Sequence, residues 1–147
     1  MPSTSMADES EWSDEIIEIV ERFQSCFDDM ERLELLFEYA EKHPSTLPME
    51  LWDDENMVHG CQSRAHVVCS LDNEGGFMAE GGADAQIVQG LMAITAIAVN
   101  GQTPDKVAEH DPTYIEGMGL SRILTPSRAN GFMNMVRKVK EEASSLM

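Results

Sequence analysis

The chain has 147 residues and is strongly acidic, with 27 Asp and Glu against 10 Lys and Arg and a formal net charge of −17. This length is typical of a single domain, which buries about two-thirds of its unfolded surface. The acidity disfavours nucleic acids and anionic membrane surfaces as partners, because both carry negative charge themselves.

The N-terminal segment, residues 1–12, is small, polar and acidic, and we expect it to be disordered in front of one domain at residues 13–147. It lacks the apolar stretch of a secretory signal and the arginines of a transit peptide. No apolar run approaches the roughly 20 residues that span a bilayer. The three cysteines are irregularly spaced and do not resemble a disulfide framework. These features predict a cytoplasmic protein.

Two amphipathic helices are predicted next. Ser13 is a suitable N-cap for the first helix, and Asp28 with Glu31 forms a capping-box-like start for the second, which ends at His43-Pro44. Apolar residues recur at helical spacing in both segments: Ile16, Val20, Phe23 and Phe27, then Leu33, Leu36, Phe37 and Ala40.

The negative charge is concentrated in this first part of the chain. Residues 1–56 hold 17 Asp and Glu and only three Lys and Arg. A docking face for a basic partner and a solvated acidic surface, as in a high-salt cytoplasm, both fit this pattern. We favour the solvated surface, because the acids lie on the outer faces of helices with apolar inner faces.

Three short strands are predicted in the middle of the chain, at 55–59, 66–71 and 77–80. The second is rich in valine, and the turn at 72–76 joins it to the third as a hairpin. An antiparallel three-stranded sheet is therefore expected.

The C-terminal half is predicted to be helical. Asp84 is placed to cap a helix that is apolar on most sides, typical of a core helix, and that ends at Asn100-Gly101. Thr103-Pro104 and Thr125-Pro126 each start a further helix, the last one long. The predicted fold class is α+β, with the small sheet packed against the N-terminal helix pair, the central apolar helix and the long C-terminal helix.

One thiol is predicted to be presented rather than packed. Cys61 follows Gly60 and precedes Gln62 and Ser63, so it can stand at a loop tip between the first two strands. Cys26 continues a helical apolar stripe and Cys69 falls within a strand, so both are interpreted as structural.

Three ordered motifs carry a family resemblance: residues 60–63 (GCQS), residues 84–91 (DAQIVQGL) and residues 124–131 (LTPSRANG). Together they resemble the SufE/CsdE family of sulfur acceptors in iron–sulfur cluster assembly, over the chain from about Ile16 to its C-terminus. Arg64-Ala65-His66, directly after the first motif, departs from the family's usual residues.

The resemblance implies a SufE/IscU-like fold and a function centred on Cys61. This cysteine would take persulfide sulfur from a SufS- or CsdA-type cysteine desulfurase, stimulate that enzyme, and deliver the sulfur to a SufB-containing scaffold. No cofactor and no resident metal are expected, and the protein would be a monomer or weak homodimer that assists an enzyme rather than acting alone.

Sulfur transfer is thiolate chemistry, so a cation near the cysteine is expected. His59, Arg64 and His66 are near Cys61 in sequence. Arg128 is a further candidate, because it falls in the first turn of the last helix, where the helix dipole disfavours positive charge. The resemblance implies that Arg128 lies near the cysteine loop. A surface ion pair of Arg128 is an equal alternative.

Two other function classes compete with the sulfur-acceptor hypothesis. An IscU-like scaffold would bind zinc or an iron–sulfur cluster through Cys61, Cys69, His59 or His66, and an acid such as Asp84, although the usual paired ligand spacing is missing. A cysteine hydrolase would need a base, an orienting group and oxyanion donors, and no such arrangement is recognisable.

Overall fold

The computed structural model describes residues 12–43, 46–60 and 64–147. The N-terminal segment predicted to be disordered lies outside these ranges except for Trp12. The indole Nε1 of Trp12 donates to Thr113 Oγ1 at 3.3 Å. The helices and strands are α1 (Asp14–Gln24), α2 (Asp29–Glu41), β1 (Ala65–Leu71), β2 (Phe77–Ala83), α3 (Gln86–Val99), α4 (Pro104–Ala108), α5 (Tyr114–Gly117) and α6 (Pro126–Ser145).

The N-terminal helix pair begins where the capping residues predicted. Ser13 Oγ accepts the N–H of Ile16 at 3.2 Å, and Asp28 Oδ1 accepts the N–H of Glu31 at 3.0 Å. These caps satisfy backbone donors that have no partner within the helix. The two helices meet through the rings of Phe23 and Tyr39, whose centroids are 6.1 Å apart.

The sheet of the described residues has two antiparallel strands, with Ala65 paired to Ala83 and Leu71 to Phe77. The predicted third strand at 55–59 is reduced to one bridge between Met57 and His66. The cause is local: Asp53 Oδ1 accepts the Asn56 N–H at 3.0 Å, while Asn56 Oδ1 accepts the Asp53 N–H at 3.1 Å. These bonds hold residues 53–56 in a turn, so that pairing with β1 begins only at Asn56.

Helix α3 occupies the centre of the fold. A Cβ on Gly90 would lie 2.5 Å from Leu36 O, so glycine lets α2 approach closely. A Cβ on Gly81 of β2 would lie 3.0 Å from Met92 Sδ. Residues 90 and 92 face nearly opposite sides of a helix. The N-terminal pair was expected against the sheet, but α3 lies between α2 and β2.

The C-terminal helix α6 begins with Thr125, whose Oγ1 accepts the N–H of Arg128 at 3.2 Å, as the Thr-Pro signal predicts. Its buried residues face the core and include Phe132, Val136 and Val139. Across the described ranges, none of the helices is both long enough and apolar enough to traverse a bilayer.

Candidate functional site

The predicted reactive residue, Cys61, lies outside the described residues, together with Gln62 and Ser63. The structure describes the backbone that leads into and out of this segment. Val58 N donates to Ala65 O at 2.8 Å, and Val67 N donates to Asn56 O at 2.8 Å. Residues 56–58 and 65–67 therefore pair as a short antiparallel stem, and residues 59–64, called here the cysteine loop, connect its two sides.

The N-terminal side of the cysteine loop is held by α6. Gly60 has a φ of +82°, a left-handed conformation that glycine adopts easily. Asn134 Nδ2 donates to Gly60 O at 3.4 Å, and the same amide would collide with a Cβ at position 60. Both the backbone angle and the close contact therefore favour glycine at the position before the cysteine.

The C-terminal side of the loop is held by Asp84. Arg64 N donates to Asp84 Oδ1 at 3.1 Å, and Asp84 N donates to Arg64 O at 3.0 Å. The prediction that Asp84 caps α3 is wrong, because the N-cap is Ala85 and no side chain caps that helix. The carboxylate is occupied by the loop backbone 20 residues away instead.

A stack of three side chains lies beside this end of the loop. The rings of Trp52 and His66 are 4.9 Å apart and nearly parallel, and the Arg64 guanidinium lies 5.2 Å from the centroid of the indole. A Cβ on Gly82 would lie 2.8 Å from Trp52 Nε1, so glycine makes room for the indole on the outer face of the sheet. Arg64 is thereby held on an aromatic surface by a cation–π contact.

His66 is held in place by a hydrogen bond to Asn56. Asn56 Nδ2 donates to Leu51 O at 2.9 Å, so its Oδ1, 2.7 Å from His66 Nδ1, is the acceptor of that pair. Nδ1 must then carry the hydrogen. With only 4% of its surface exposed, His66 is a buried structural histidine in this fold.

Arg128, the predicted support for the thiolate, lies in the first turn of α6. Its side-chain Nη1 is buried and has no hydrogen-bond partner in the part of the chain that the structure describes. None of the four ion pairs found among the described residues includes it. The equal alternative was a surface ion pair, and Arg128 forms none with a carboxylate within those ranges.

The other two cysteines are poor thiolates in this fold. Burial, with a smaller contribution from Glu142, raises the pKa of Cys69 to about 12. Burial, followed by Glu31, also raises the pKa of Cys26. Cys69 lies in β1 as predicted, whereas Cys26 lies just after α1 ends at Gln24 and packs at the edge of the core.

Comparison with known proteins identifies the family. The family model described as "SufE: Fe-S metabolism associated domain" matches residues 17–143. An uncharacterized SufE-like protein of Synechocystis sp. is 39% identical over 128 residues, which cover 87% of this chain and 79% of that protein. This chain belongs to the SufE family. Its place in that family assigns it a role in iron–sulfur metabolism.

A solved structure supports the same fold for this SufE-family chain. The solution structure of a hypothetical protein from Thermus thermophilus superposes with a TM-score of 0.72. The match covers 89% of this chain and 94% of the other, at 22% sequence identity. The α+β architecture is therefore shared, and the similarity shows the fold alone.

The described residues of this SufE-family protein do not form the IscU-like metal site that was the alternative. His66 and Cys69 are three residues apart on one strand, so their side chains leave opposite faces of the sheet. Among residues 12–43, 46–60 and 64–147, no three His, Cys, Asp or Glu side chains cluster as potential metal ligands. The ligand set of Cys69 with His66 is therefore excluded by strand geometry.

Three residues of the site were missed by sequence reasoning: Trp52, Asn56 and Asn134. Asn56 and Trp52 lie in a segment rich in turn-forming residues, so their position suggested only a connection. Asn134 is separated from Gly60 by 74 residues, and no local pattern predicts that contact.

Proposed function

We propose that this protein is a sulfur acceptor, with Cys61 as the residue that takes sulfur from a SufS- or CsdA-type cysteine desulfurase. The observation that carries the proposal is the anchoring of the loop on both sides of the cysteine. Gly60 is held by Asn134, and Arg64 by Asp84. A short segment with fixed ends is suited to presenting a thiol to a partner in a repeatable position.

The proposed step is a sulfane transfer without net oxidation or reduction. The Cys61 thiolate attacks the terminal sulfur of the donor's persulfide, and a new sulfur–sulfur bond forms to Cys61. The bond between that terminal sulfur and the donor cysteine breaks, and the donor leaves as a thiolate with the electron pair. The same exchange in the next step would pass the sulfur to a thiolate on a SufB-containing scaffold.

Arg128 is proposed to support the Cys61 thiolate or the loop around it. A buried guanidinium nitrogen needs an acceptor, because leaving such a donor without a partner is costly. Arg128 Nη1 has none among the described residues. An acceptor on the cysteine loop would satisfy it, and a thiolate there would gain a positive charge that lowers the thiol pKa.

The raised pKa values of Cys26 and Cys69 support a mechanism with one thiol. At pH 7 a thiol with a pKa near 12 is ionised to a fraction on the order of 10⁻⁵, so Cys69 is a poor nucleophile. Cys61 must be kept as a free thiol, which needs a reducing compartment, so the proposed location is the cytoplasm. Because one thiol suffices, the proposed state is a monomer or weak homodimer.

Desulfurase turnover tests this proposal. Alanine production from cysteine by a SufS-type desulfurase should rise when the wild-type protein is added and should not rise with Cys61→Ser, since a hydroxyl does not ionise near neutral pH. Cys26→Ser and Cys69→Ser are the matched controls and should stimulate nearly as well as wild type. Full stimulation by Cys61→Ser, or its loss in a folded Cys26 or Cys69 variant, would contradict a mechanism based on Cys61 alone.

A further inference from the structure

A strongly exposed apolar turn lies close to the cysteine loop. Residues Met49–Leu51 form a single 3₁₀ turn, in which 64% of the Met49 surface and 55% of the Leu51 surface are exposed. Two large apolar side chains exposed within one turn favour a contact with another protein.

Exposed negative charge surrounds this turn, beside Lys138, whose Nζ donates to Glu55 O at 3.4 Å. Residues 46–60 contain Glu50, Asp53, Asp54 and Glu55 but no Lys or Arg. All four acids are exposed, and none of them belongs to an ion pair within the described residues. Glu50 lies within the apolar turn itself. We define the docking face as residues 49–51 with Asp53, Asp54 and Glu55.

The docking face is joined rigidly to the cysteine loop through Trp52, the residue that follows the turn. Trp52 Nε1 donates to Leu47 O at 3.1 Å, and the indole stacks on buried His66. The other neighbour of the indole is Arg64, at 5.2 Å from its centroid, and Arg64 directly follows Ser63. A partner seated on the turn would therefore sit next to the loop that carries Cys61.

We propose that the docking face binds the sulfur-donating protein, and that the donor contributes an apolar contact surrounded by Lys and Arg. This inference rests on the proposed sulfur-acceptor function. Opposite charges around an apolar centre give specificity and fast association. A second copy of this chain is a poor occupant, because each copy carries a net charge of −17. Nucleic acids and anionic vesicles are repelled for the same reason.

Charge reversal tests the docking face directly. The affinity of a purified SufS-type desulfurase is measured at 50 mM and 300 mM NaCl for wild type and for Glu50→Lys with Asp54→Lys. We expect the double variant to bind about tenfold more weakly at low salt, with a smaller difference at high salt, because surface charge pairs are screened. Glu18→Lys with Glu34→Lys changes the charge equally on α1 and α2 and should lose much less affinity.

A second pair of variants tests the apolar part of the face. Met49→Ser with Leu51→Ser should weaken binding at both salt concentrations, because the lost contact is not electrostatic. At 300 mM NaCl, where surface charges are screened, the rate at which a small alkylating reagent modifies Cys61 should stay at the wild-type value in all these variants. This measurement separates docking from the reactivity of the thiol.

Several results would overturn the docking face. Equal losses in the two charge-reversal pairs would show a general effect of net charge, and unchanged affinity in the Glu50 and Asp54 variant would remove the surface altogether. Self-association of wild type that this variant abolishes would assign the face to a second copy.

Affinity and sulfur loading of Cys61, measured side by side, separate this proposal from the sulfur-acceptor function. If Cys61 is loaded with sulfur but the docking variants bind normally, only the docking face is wrong. If the docking variants bind more weakly but wild-type Cys61 never gains sulfur, the docking face stands and the acceptor function is wrong. Failure of wild type to bind the desulfurase at all would overturn both.

Discussion

Two hydrogen bonds join the backbone of Arg64 to Asp84, one to the Asp84 carboxylate and one from the Asp84 amide. Arg64 N donates to Asp84 Oδ1 at 3.1 Å, and Asp84 N donates to Arg64 O at 3.0 Å. The two residues lie where β1 begins and where β2 has just ended. The aspartate therefore closes the cysteine loop at the point where the chain enters the sheet.

Removing the Asp84 carboxylate should loosen this end of the loop. In Asp84→Ala we expect the Arg64 amide to exchange its hydrogen for deuterium about tenfold faster, because its acceptor is lost while the β1–β2 ladder persists. Asp84→Asn keeps an acceptor oxygen in the same place and serves as the control. Equal exchange rates in Asp84→Ala and wild type would show that the carboxylate does not hold the loop.

Gly60→Ala should destabilise the protein through two separable effects. Its φ of +82° disfavours alanine, at a cost of about 1 kcal/mol, and the new Cβ would collide with Asn134. Gly75 has a φ of +84° and open space around it, so Gly75→Ala carries only the first cost. We expect Gly60→Ala to lower the free energy of unfolding in urea by more than Gly75→Ala.

Asn134→Ala in the Gly60→Ala background identifies the source of this difference. The double variant should recover the steric part of the loss, so its stability should approach that of Gly75→Ala. If Gly60→Ala and Gly75→Ala are equally stable from the start, the contact between Gly60 and Asn134 does not constrain the loop.

Arg128→Ala should slow alkylation of Cys61 near neutral pH. The proposed loss of a nearby positive charge raises the thiol pKa, so less thiolate is present and the pH profile of alkylation moves to higher pH. Arg128→Lys keeps the charge without the planar donor fork and should lie between wild type and alanine. A profile unchanged in Arg128→Ala would leave this arginine without a part in activating the thiol.

Stability should fall as the pH is lowered from about 6.5 to about 4, in part because of His110. Burial, aided by Lys140, lowers its pKa to about 4, while Asp111 acts in the opposite direction. The unfolded chain therefore binds more protons than the folded chain in this range, which favours unfolding. Burial lowers the pKa of His43 to about 4 as well, so both histidines contribute to the slope.

His110→Gln isolates the share of one histidine. Its plot of unfolding free energy against pH should be less steep than that of wild type between pH 6.5 and 4, by at most about 1.4 kcal/mol per pH unit. The measurement is urea unfolding at several pH values. Parallel curves for the two proteins would show that His110 is protonated equally in the folded and unfolded states.

The sequence predicted elements whose signals are local. The caps at Ser13, Asp28 and Thr125 lie within three residues of the amides that they accept, and the β1–β2 hairpin follows from valines around a turn of Asp, Asn and Gly. The α+β class was predictable for this reason. The three-stranded sheet was not, because side-chain bonds between Asp53 and Asn56 hold residues 53–56 in a turn, so that only residues 56–58 pair with β1.

The cysteine loop is held by contacts between residues that are far apart in sequence. Gly60 was predicted to help place Cys61 at a loop tip, but its contact, Asn134, lies 74 residues away. Asp84 has the local pattern of a helix cap, and only the folded chain brings it to the Arg64 amide. Local periodicity contains no signal for either pairing, so these residues could be found only in three dimensions.

Mass spectrometry shows directly whether Cys61 accepts sulfur. The protein is incubated with a SufS-type desulfurase and cysteine, digested, and the peptides containing Cys26, Cys61 and Cys69 are compared before and after treatment with a reductant. If Cys61 is the acceptor, its peptide should gain the mass of one sulfur atom, which the reductant removes, and Cys61→Ser should show no increase. Sulfur found only on Cys26 or Cys69 would contradict Cys61 as the acceptor.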